Sequence, residues 1–337
     1  MSLPTAQLGR DGPEVNRLGL GLMGLSMFYG ASKPDEERLE VLTQAHKLGE
    51  RFWDSSDLYG DNEILLGKWF ADNKDKRNDI FLATKFAVDQ KTFKVDSSPE
   101  YAKKACTASL ERLGLSQIDL YYCHRVDGKT PIEKTVEAMV ELKKEGKIKY
   151  LGLSEVSSET LRRAHAVHPI TAVQVEYSPF ALEIESKQID LLATCRELGV
   201  AIVAYSPLCR GILSGALRSP DDFAKDDFRR MMPRFSPENF PKNLKLVDQI
   251  IGLAKEKGVE PSQLTLAWLL AQGDDIFPIP GTTRIARLKE NLGCFDVKLT
   301  NEEEQQIRKA CEEADVSGER YAPQLMSQCY ADTPALK

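Results

Sequence analysis

Nowhere in this chain do apolar residues run on for the ~20 positions that a membrane-crossing helix needs. Positive charge is not in surplus either. The formal net charge is -6, which leaves no whole-chain footprint for nucleic acid. An anionic small ligand would need its own cluster of Arg and Lys. Paired cysteines are missing as well. The seven cysteines (Cys106, Cys123, Cys195, Cys209, Cys294, Cys311 and Cys329) contain no CxxC and no Cys/His spacing that suits zinc. Reduced thiols in a metal-free cytoplasmic protein are therefore expected. The N-terminal stretch "MSLPTAQLGRDGPEV" has no apolar run behind a basic start, so no signal peptide is visible. What is present is ordinary for a folded chain: 42% apolar and 28% charged residues, a balance that disfavours disorder. A core built from 337 residues needs no disulfide or structural metal to hold it.

Short apolar runs recur at 18–22, 52–53, 80–83, 118–122, 150–153, 172–175, 201–204 and 276–279. Each is short and nearly continuous, as parallel strands covered on both faces are. Amphipathic segments lie between them. "DEERLEVLTQAHKLG" carries an apolar stripe and ends on a glycine cap. "SPEYAKKACTASLERLG" opens with Ser98 as N-cap and Pro99 at the first helical position. Strand–helix alternation through eight units predicts an α/β fold, a (β/α)₈ TIM barrel, as a single domain over residues 1–337. A doubly wound sheet is the rival, but no GxGxxG opens a helix after a strand; "GLGLMG" is spaced differently. Two segments stand outside the repeat. Asp11-Gly12 signals an N-terminal β-hairpin, expected to cover the barrel bottom, and residues 210–242 form a long loop after strand seven.

Barrels of this kind place chemistry at the C-terminal ends of their strands. Those positions hold Asp54 and Tyr59 after strand two, Lys85 after strand three and His124 after strand four. Taken singly, each has a plainer reading: Asp54 as a cap, Lys85 as a solvated charge, His124 and Tyr59 as packing. Four such types at neighbouring strand ends argue against coincidence. A tyrosine near its ordinary pKa of about 10 is a poor acid–base group at neutral pH, and a nearby ammonium lowers it. A carboxylate on the lysine's other side holds that charge in place, and a histidine can reach the same substrate oxygen. The set suits giving a proton to a carbonyl oxygen that is gaining charge.

"FWDSSDLYG", "LATKF", "DLYYCHRVD", "GLSE", "VQVEYSPF", "AYSPLCRG" and "IPGTTRIARLKEN" follow one another in this order. Together they resemble the aldo-keto reductases, NADP(H)-dependent carbonyl reductases on a (β/α)₈ barrel, and most of all their microbial, fungal and plant branch. The resemblance implies that Tyr59 is the proton donor, Lys85 tunes it, Asp54 pairs with Lys85 and His124 orients the carbonyl. It implies that Ser154 and Gln174 bind the nicotinamide carboxamide and that Tyr205 stacks beneath the ring. The backbone around Ser206, Leu208, Arg210 and Gly211 would approach the pyrophosphate. Gly281, Thr282, Thr283, Arg284 and Arg287 would surround the 2′-phosphate, and Glu290 and Asn291 would meet the adenine. Arginines and hydroxyls at a helix start form an anion site, so NADPH is expected over NADH. Three positions depart from the family pattern. Glu155 stands where many relatives have Asn, Cys209 where a Gly is usual, and Gly281 where some branches have Lys.

The implied activity is NADPH-dependent reduction of an aldehyde or ketone to an alcohol. The expected partner is an apolar or planar small-molecule carbonyl, with pyridoxal as the alternative substrate. A cofactor-binding regulatory subunit with slow turnover is the rival of another class. The oligomeric state is left open.

Overall fold

The computed structural model describes residues 3–337. Two antiparallel strands, β1 (Thr5–Gln7) and β2 (Glu14–Asn16), form the expected hairpin. Eight parallel strands follow: β3 (Leu20–Gly21), β4 (Phe52–Asp54), β5 (Phe81–Phe86), β6 (Ile118–Cys123), β7 (Ile148–Ser154), β8 (Ala172–Glu176), β9 (Ala201–Tyr205) and β10 (Ile276–Pro278). Each pairs with its chain neighbours in simple order. The helices are α1 (Asp35–Leu48), α2 (Asn62–Asp72), α3 (Pro99–Leu113), α4 (Ile132–Lys144), α5 (Ser158–Val167), α6 (Leu191–Leu198), α7 (Phe240–Lys257), α8 (Pro261–Ala271), α9 (Ile285–Leu292), α10 (Asn301–Glu313) and α11 (Pro323–Met326). Helices return the chain from one parallel strand to the next, which is what makes the strands near-continuously apolar.

The barrel closes between its first and last strands. Gly19 N–H donates to Pro278 O at 2.9 Å and Gly21 N–H to Pro280 O at 3.3 Å. A Cβ on Gly21 would stand 2.7 Å from Ile279 O, and one on Gly281 would stand 2.7 Å from Gly21 O. Gly19 and Gly21 of "GLGLMG" thus serve a close backbone seam. The seam also explains why β3 is only Leu20–Gly21 rather than the 18–22 read from the sequence.

At the barrel bottom, Leu8 and Val15 of the hairpin pack with Phe52, Leu120 and Phe277 in one buried cluster. This is the cover that the hairpin signal predicted. Outside the strands, Trp53 meets Trp69 of α2 edge-on at 4.8 Å. The segment after β9 is a chain of 3₁₀ turns (Cys209–Ser214, Pro220–Asp222, Phe228–Met231 and Pro233–Phe235) rather than open loop. Phe228 N–H donates to Phe28 O at 3.0 Å, and their rings meet at 5.1 Å. The segment therefore leans over the loop that follows β3.

Among the described residues, no helix is long and apolar enough to cross a membrane. No group of three or more His, Cys, Asp or Glu among them is arranged to hold a metal ion.

Candidate functional site

The loop leaving β4 does not turn away at once. Ser55 N–H donates to Ala83 O at 2.8 Å and Asp57 N–H to Lys85 O at 3.2 Å, so the chain keeps pairing with β5 past the strand's end. It then bends sharply at Gly60, whose φ of +58° and 2.9 Å approach to Ser26 O (from a Cβ built there) exclude a side chain. Asn62 pins the bend. It accepts from Ser55 Oγ at 2.6 Å and donates to Leu22 O at 3.0 Å. The result turns Tyr59 back over Asp54. Lys85 lies inside β5, which runs to Phe86 rather than stopping at 83. His124 follows β6 immediately and is tied back to β5 by its N–H on Phe86 O at 2.8 Å.

These placements bring the four side chains together. Lys85 Nζ donates to Asp54 Oδ1 at 2.5 Å, to Ser55 O at 2.7 Å and to Tyr59 Oη at 3.3 Å. The His124 ring stands edge-on to the Tyr59 ring, 6.0 Å between centroids. Lys85 is fully buried; Asp54, Tyr59 and His124 line a cavity of about 710 Å³.

Burial fixes the charge states. It pushes the Tyr59 phenol above its ordinary pKa, with Lys85 pulling the other way. The sequence reading expected the ammonium to win, but a fully enclosed phenolate loses more solvation than one ammonium returns. Tyr59 therefore holds its proton, as a donor must. Burial also disfavours the Lys85 charge, yet Asp54 and Tyr59 outweigh it and hold Lys85 protonated. His124 is driven well below the ordinary imidazole value by burial, then by Arg125 and Lys85, and so is neutral.

The expected cofactor residues divide into two groups. Ser154, Gln174, Tyr205, Ser206, Leu208, Arg210 and Gly211 line the same cavity, and so do Gly281, Thr282, Thr283 and Arg284. Arg287, Glu290 and Asn291 do not line it. Arg287 pairs with Glu290, which also accepts from Ser262 Oγ at 2.5 Å, and Asn291 is buried in α9. Gln174 has a partner the sequence did not suggest: its Nε2 donates to Asp54 Oδ2 at 2.7 Å. Asp54 is thus held from both sides, by Lys85 and by Gln174.

After β9 the backbone is left-handed at Ser206 (φ 49°), Cys209 (φ 45°), Arg210 (φ 56°) and Gly211 (φ 98°). The turn is closed on itself, with Cys209 N–H donating to Ser206 O at 2.8 Å and Gly211 N–H to Leu208 O at 2.9 Å, and it holds this stretch against the cavity wall. With Tyr205 on the wall and Arg284 at the start of α9, the cavity fits an extended dinucleotide phosphate. Cys209 keeps the left-handed turn that a glycine would adopt more easily, and burial pushes its thiol up to about 11. It is not a reactive thiolate.

Glu155, the departure at the end of β7, is fully buried, and its Oε1 accepts the Glu176 backbone N–H at 3.4 Å. Its carboxylate receives both guanidinium nitrogens of Arg320 at 2.7 Å, and Tyr205 Oη donates to its Oε1 at 2.7 Å. Arg320 belongs to the C-terminal tail, which also aligns with the chain beyond β7. Ala331 N–H donates to Glu155 O at 2.8 Å and Ser157 N–H to Ala331 O at 3.0 Å. The sequence of this tail from Gly318 has no clear period, and the tail folds over one face of the barrel. It brings Tyr321, Leu325 and Gln328 to the cavity wall. Of the aromatics that follow β3 and β5, Phe28, Tyr29 and Phe93 line the cavity, whereas Phe86, the last residue of β5, stacks on Tyr121 in the core at 4.9 Å.

The Aldo/keto reductase family model matches residues 17–312. All of the chain aligns with two curated proteins. One is the aldo-keto reductase str7 of Strobilurus tenacellus, 53% identical across 99% of its length. The other is the NADP(+) aldo-keto reductase yakc of Schizosaccharomyces pombe, 50% identical across 99% of its length. Among solved structures, the glycerol dehydrogenase of Gluconobacter oxydans is 28% identical with a TM-score of 0.82, over 96% of this chain and 99% of that one. A thermostable aldo-keto reductase crystallised with the inhibitor epalrestat is 29% identical with a TM-score of 0.74, over 91% of this chain and 100% of that one.

Proposed function

The chain belongs to the aldo/keto reductase family, and from that premise we propose that it reduces an apolar or planar aldehyde or ketone to the alcohol, with Tyr59 as proton donor. It is an NADP-dependent oxidoreductase, and NADPH supplies a hydride to the carbonyl carbon when bound. The observation that carries the reading is the Lys85 ammonium, 2.5 Å from Asp54 and 3.3 Å from Tyr59 Oη. As the carbonyl oxygen gains charge, Tyr59 gives it a proton, and the phenolate left behind sits against that ammonium. Asp54, gripped by Lys85 and Gln174, keeps the ammonium in place. Neutral His124 donates a hydrogen bond to the carbonyl oxygen and orients it.

Cofactor grip falls to Tyr205, the left-handed turn at 206–211 and the Thr282–Arg284 stretch, where Arg284 meets the 2′-phosphate. Apolar side chains at the cavity mouth favour an apolar or planar substrate. Phe93 is 49% exposed and Met231 64% exposed, an arrangement that marks a binding surface rather than packing.

The test is NADPH oxidation against a panel of aliphatic and aromatic aldehydes, ketones and pyridoxal. Turnover of one class supports the reading. A protein that binds NADPH and turns over none of them is a cofactor-binding regulatory subunit instead.

A further inference from the structure

Asp57 stands two residues before Tyr59 and has no role in the reaction just described. Its Oδ1 lies 3.4 Å from Ser56 Oγ. Ser56 Oγ lies 3.2 Å from His124 Nδ1 and accepts the Leu58 N–H, also at 3.2 Å. Ser56 and His124 are buried, and Asp57 is partly so. The three side chains make a line from a carboxyl group to the ring that faces the cavity.

Counting protons leaves this line two arrangements. A hydroxyl donates one hydrogen bond and accepts two. A neutral imidazole carries one N–H, and the bond made at one nitrogen decides which. In the first arrangement Asp57 is protonated and donates to Ser56, Ser56 donates to His124 Nδ1, and Nε2–H faces the cavity. In the second Asp57 is ionised and accepts from Ser56, Nδ1–H donates to Ser56, and Nε2 offers a lone pair. Each satisfies Ser56 fully, because its other lone pair takes the Leu58 N–H. The two interconvert by one proton. Nε2 releases its proton to the cavity, Nδ1 takes the Ser56 proton, and Ser56 takes the Asp57 proton.

We propose that Asp57 and Ser56 are positioning residues that set the tautomer of His124, and so decide whether the site can donate to a carbonyl oxygen or accept from an alcohol. The inference rests on the reading of His124 as the residue that orients the carbonyl. The surroundings of Asp57 favour its protonated form at neutral pH. Burial is the largest cause, the Glu63 carboxylate on α2 adds to it, Arg112 on α3 opposes it, and the carboxyl is pushed up to about 8. Arg112 is itself held by Glu63 at 2.7 Å. Tyr101 on α3 and Tyr121 on β6 also face Asp57, and both stay neutral in this range because their phenols are raised. The donor arrangement therefore holds below about pH 8, and the acceptor arrangement appears above it.

The test is nitrogen NMR of the full-length protein labelled with ¹⁵N-histidine, without substrate. The chain has four histidines, and His124→Gln identifies the relevant signals. The wild type is expected to show Nε2–H at about pH 7 and Nδ1–H above about pH 8. Asp57→Asn keeps an amide donor toward Ser56 at every pH, so it is expected to hold Nε2–H throughout. Ser56→Ala is expected to free the tautomer from residue 57.

A wild type with Nδ1–H at about pH 7, or an Asp57→Asn variant that follows the wild-type pH response, overturns the proposal. In turnover, carbonyl reduction by the wild type is expected to fall roughly tenfold between about pH 7 and pH 9, and Asp57→Asn to flatten that fall. The tautomer is read without catalysis. An absence of carbonyl reduction would thus refute the proposed activity and leave the tautomer result standing.

Discussion

Arg320 holds Glu155 with two guanidinium nitrogens, each 2.7 Å from a carboxylate oxygen, and neither side chain reaches solvent appreciably. The pair joins the C-terminal tail to the end of β7. Tyr205 Oη bonds to both partners, at 2.7 Å to Glu155 and 3.0 Å to Arg320. Removing Arg320 would leave a buried, unpaired carboxylate. Arg320→Met is therefore expected to cost about 3–5 kcal/mol of unfolding free energy, read as a lower urea midpoint. Combined with Glu155→Gln, the double variant is expected to lose much less than the sum of the singles. Additive losses would show that the two residues do not act as a pair.

Tyr59→Phe removes the proton and leaves the ring. Turnover is expected to drop by roughly a hundredfold to ten-thousandfold, while NADPH affinity, read by quenching of protein fluorescence, stays near wild type. Full turnover by this variant would mean another group gives the proton.

Arg284 and Arg287 separate two ideas of the phosphate site. Arg284 lines the cavity, whereas Arg287 is paired with Glu290. Arg284→Ala is expected to weaken NADPH by about tenfold or more and to leave NADH nearly unchanged. Arg287→Ala is expected to do less. Titration of both cofactors against both variants checks this, and equal losses of NADPH and NADH would remove the 2′-phosphate role.

Glu50 sets a pH dependence far from the site. It is buried, its Oε2 has no hydrogen-bond partner, and burial pushes its carboxyl from 4.5 up to about 8. Below 4.5 the group is neutral in both states. Between 4.5 and about 8 it ionises only on unfolding, so its contribution to stability is lost as pH rises through that window. Glu50→Gln cannot ionise. Relative to wild type it is expected to gain on the order of a few kcal/mol between about pH 5 and pH 8, measured by urea unfolding at both. A difference that stays constant would mean Glu50 is charged in the folded protein.

The barrel was legible because its strands are covered on both faces, so runs such as Ala201–Tyr205 read as apolar from end to end. Asp54, Tyr59, Lys85 and His124 were legible because they fall at the ends of such runs. The tail was not. Arg320 finds Glu155 across 165 positions, and no local pattern records a partner that distant. The second bond on Asp54 was hidden for the same reason, since Gln174 lies 120 positions away. The sign of the Tyr59 shift was missed because residue types announce a neighbouring ammonium but not the depth of burial that opposes it. Glycine explains the short β3: its pairing with β10 is a seam of backbone groups, and apolar periodicity does not register such a seam.

The tail also bears on how the protein is made. Its anchors, Arg320 on Glu155 and Ala331 alongside Val156, come after every strand of the barrel in the order of synthesis. A nascent chain that has emerged as far as α10 already carries all eight strands, yet it lacks the groups that hold Tyr205 and wall the cavity. Completion of the site therefore waits for residues 320–331 to leave the ribosome, so a chain stalled or terminated before them would be a barrel without a finished pocket.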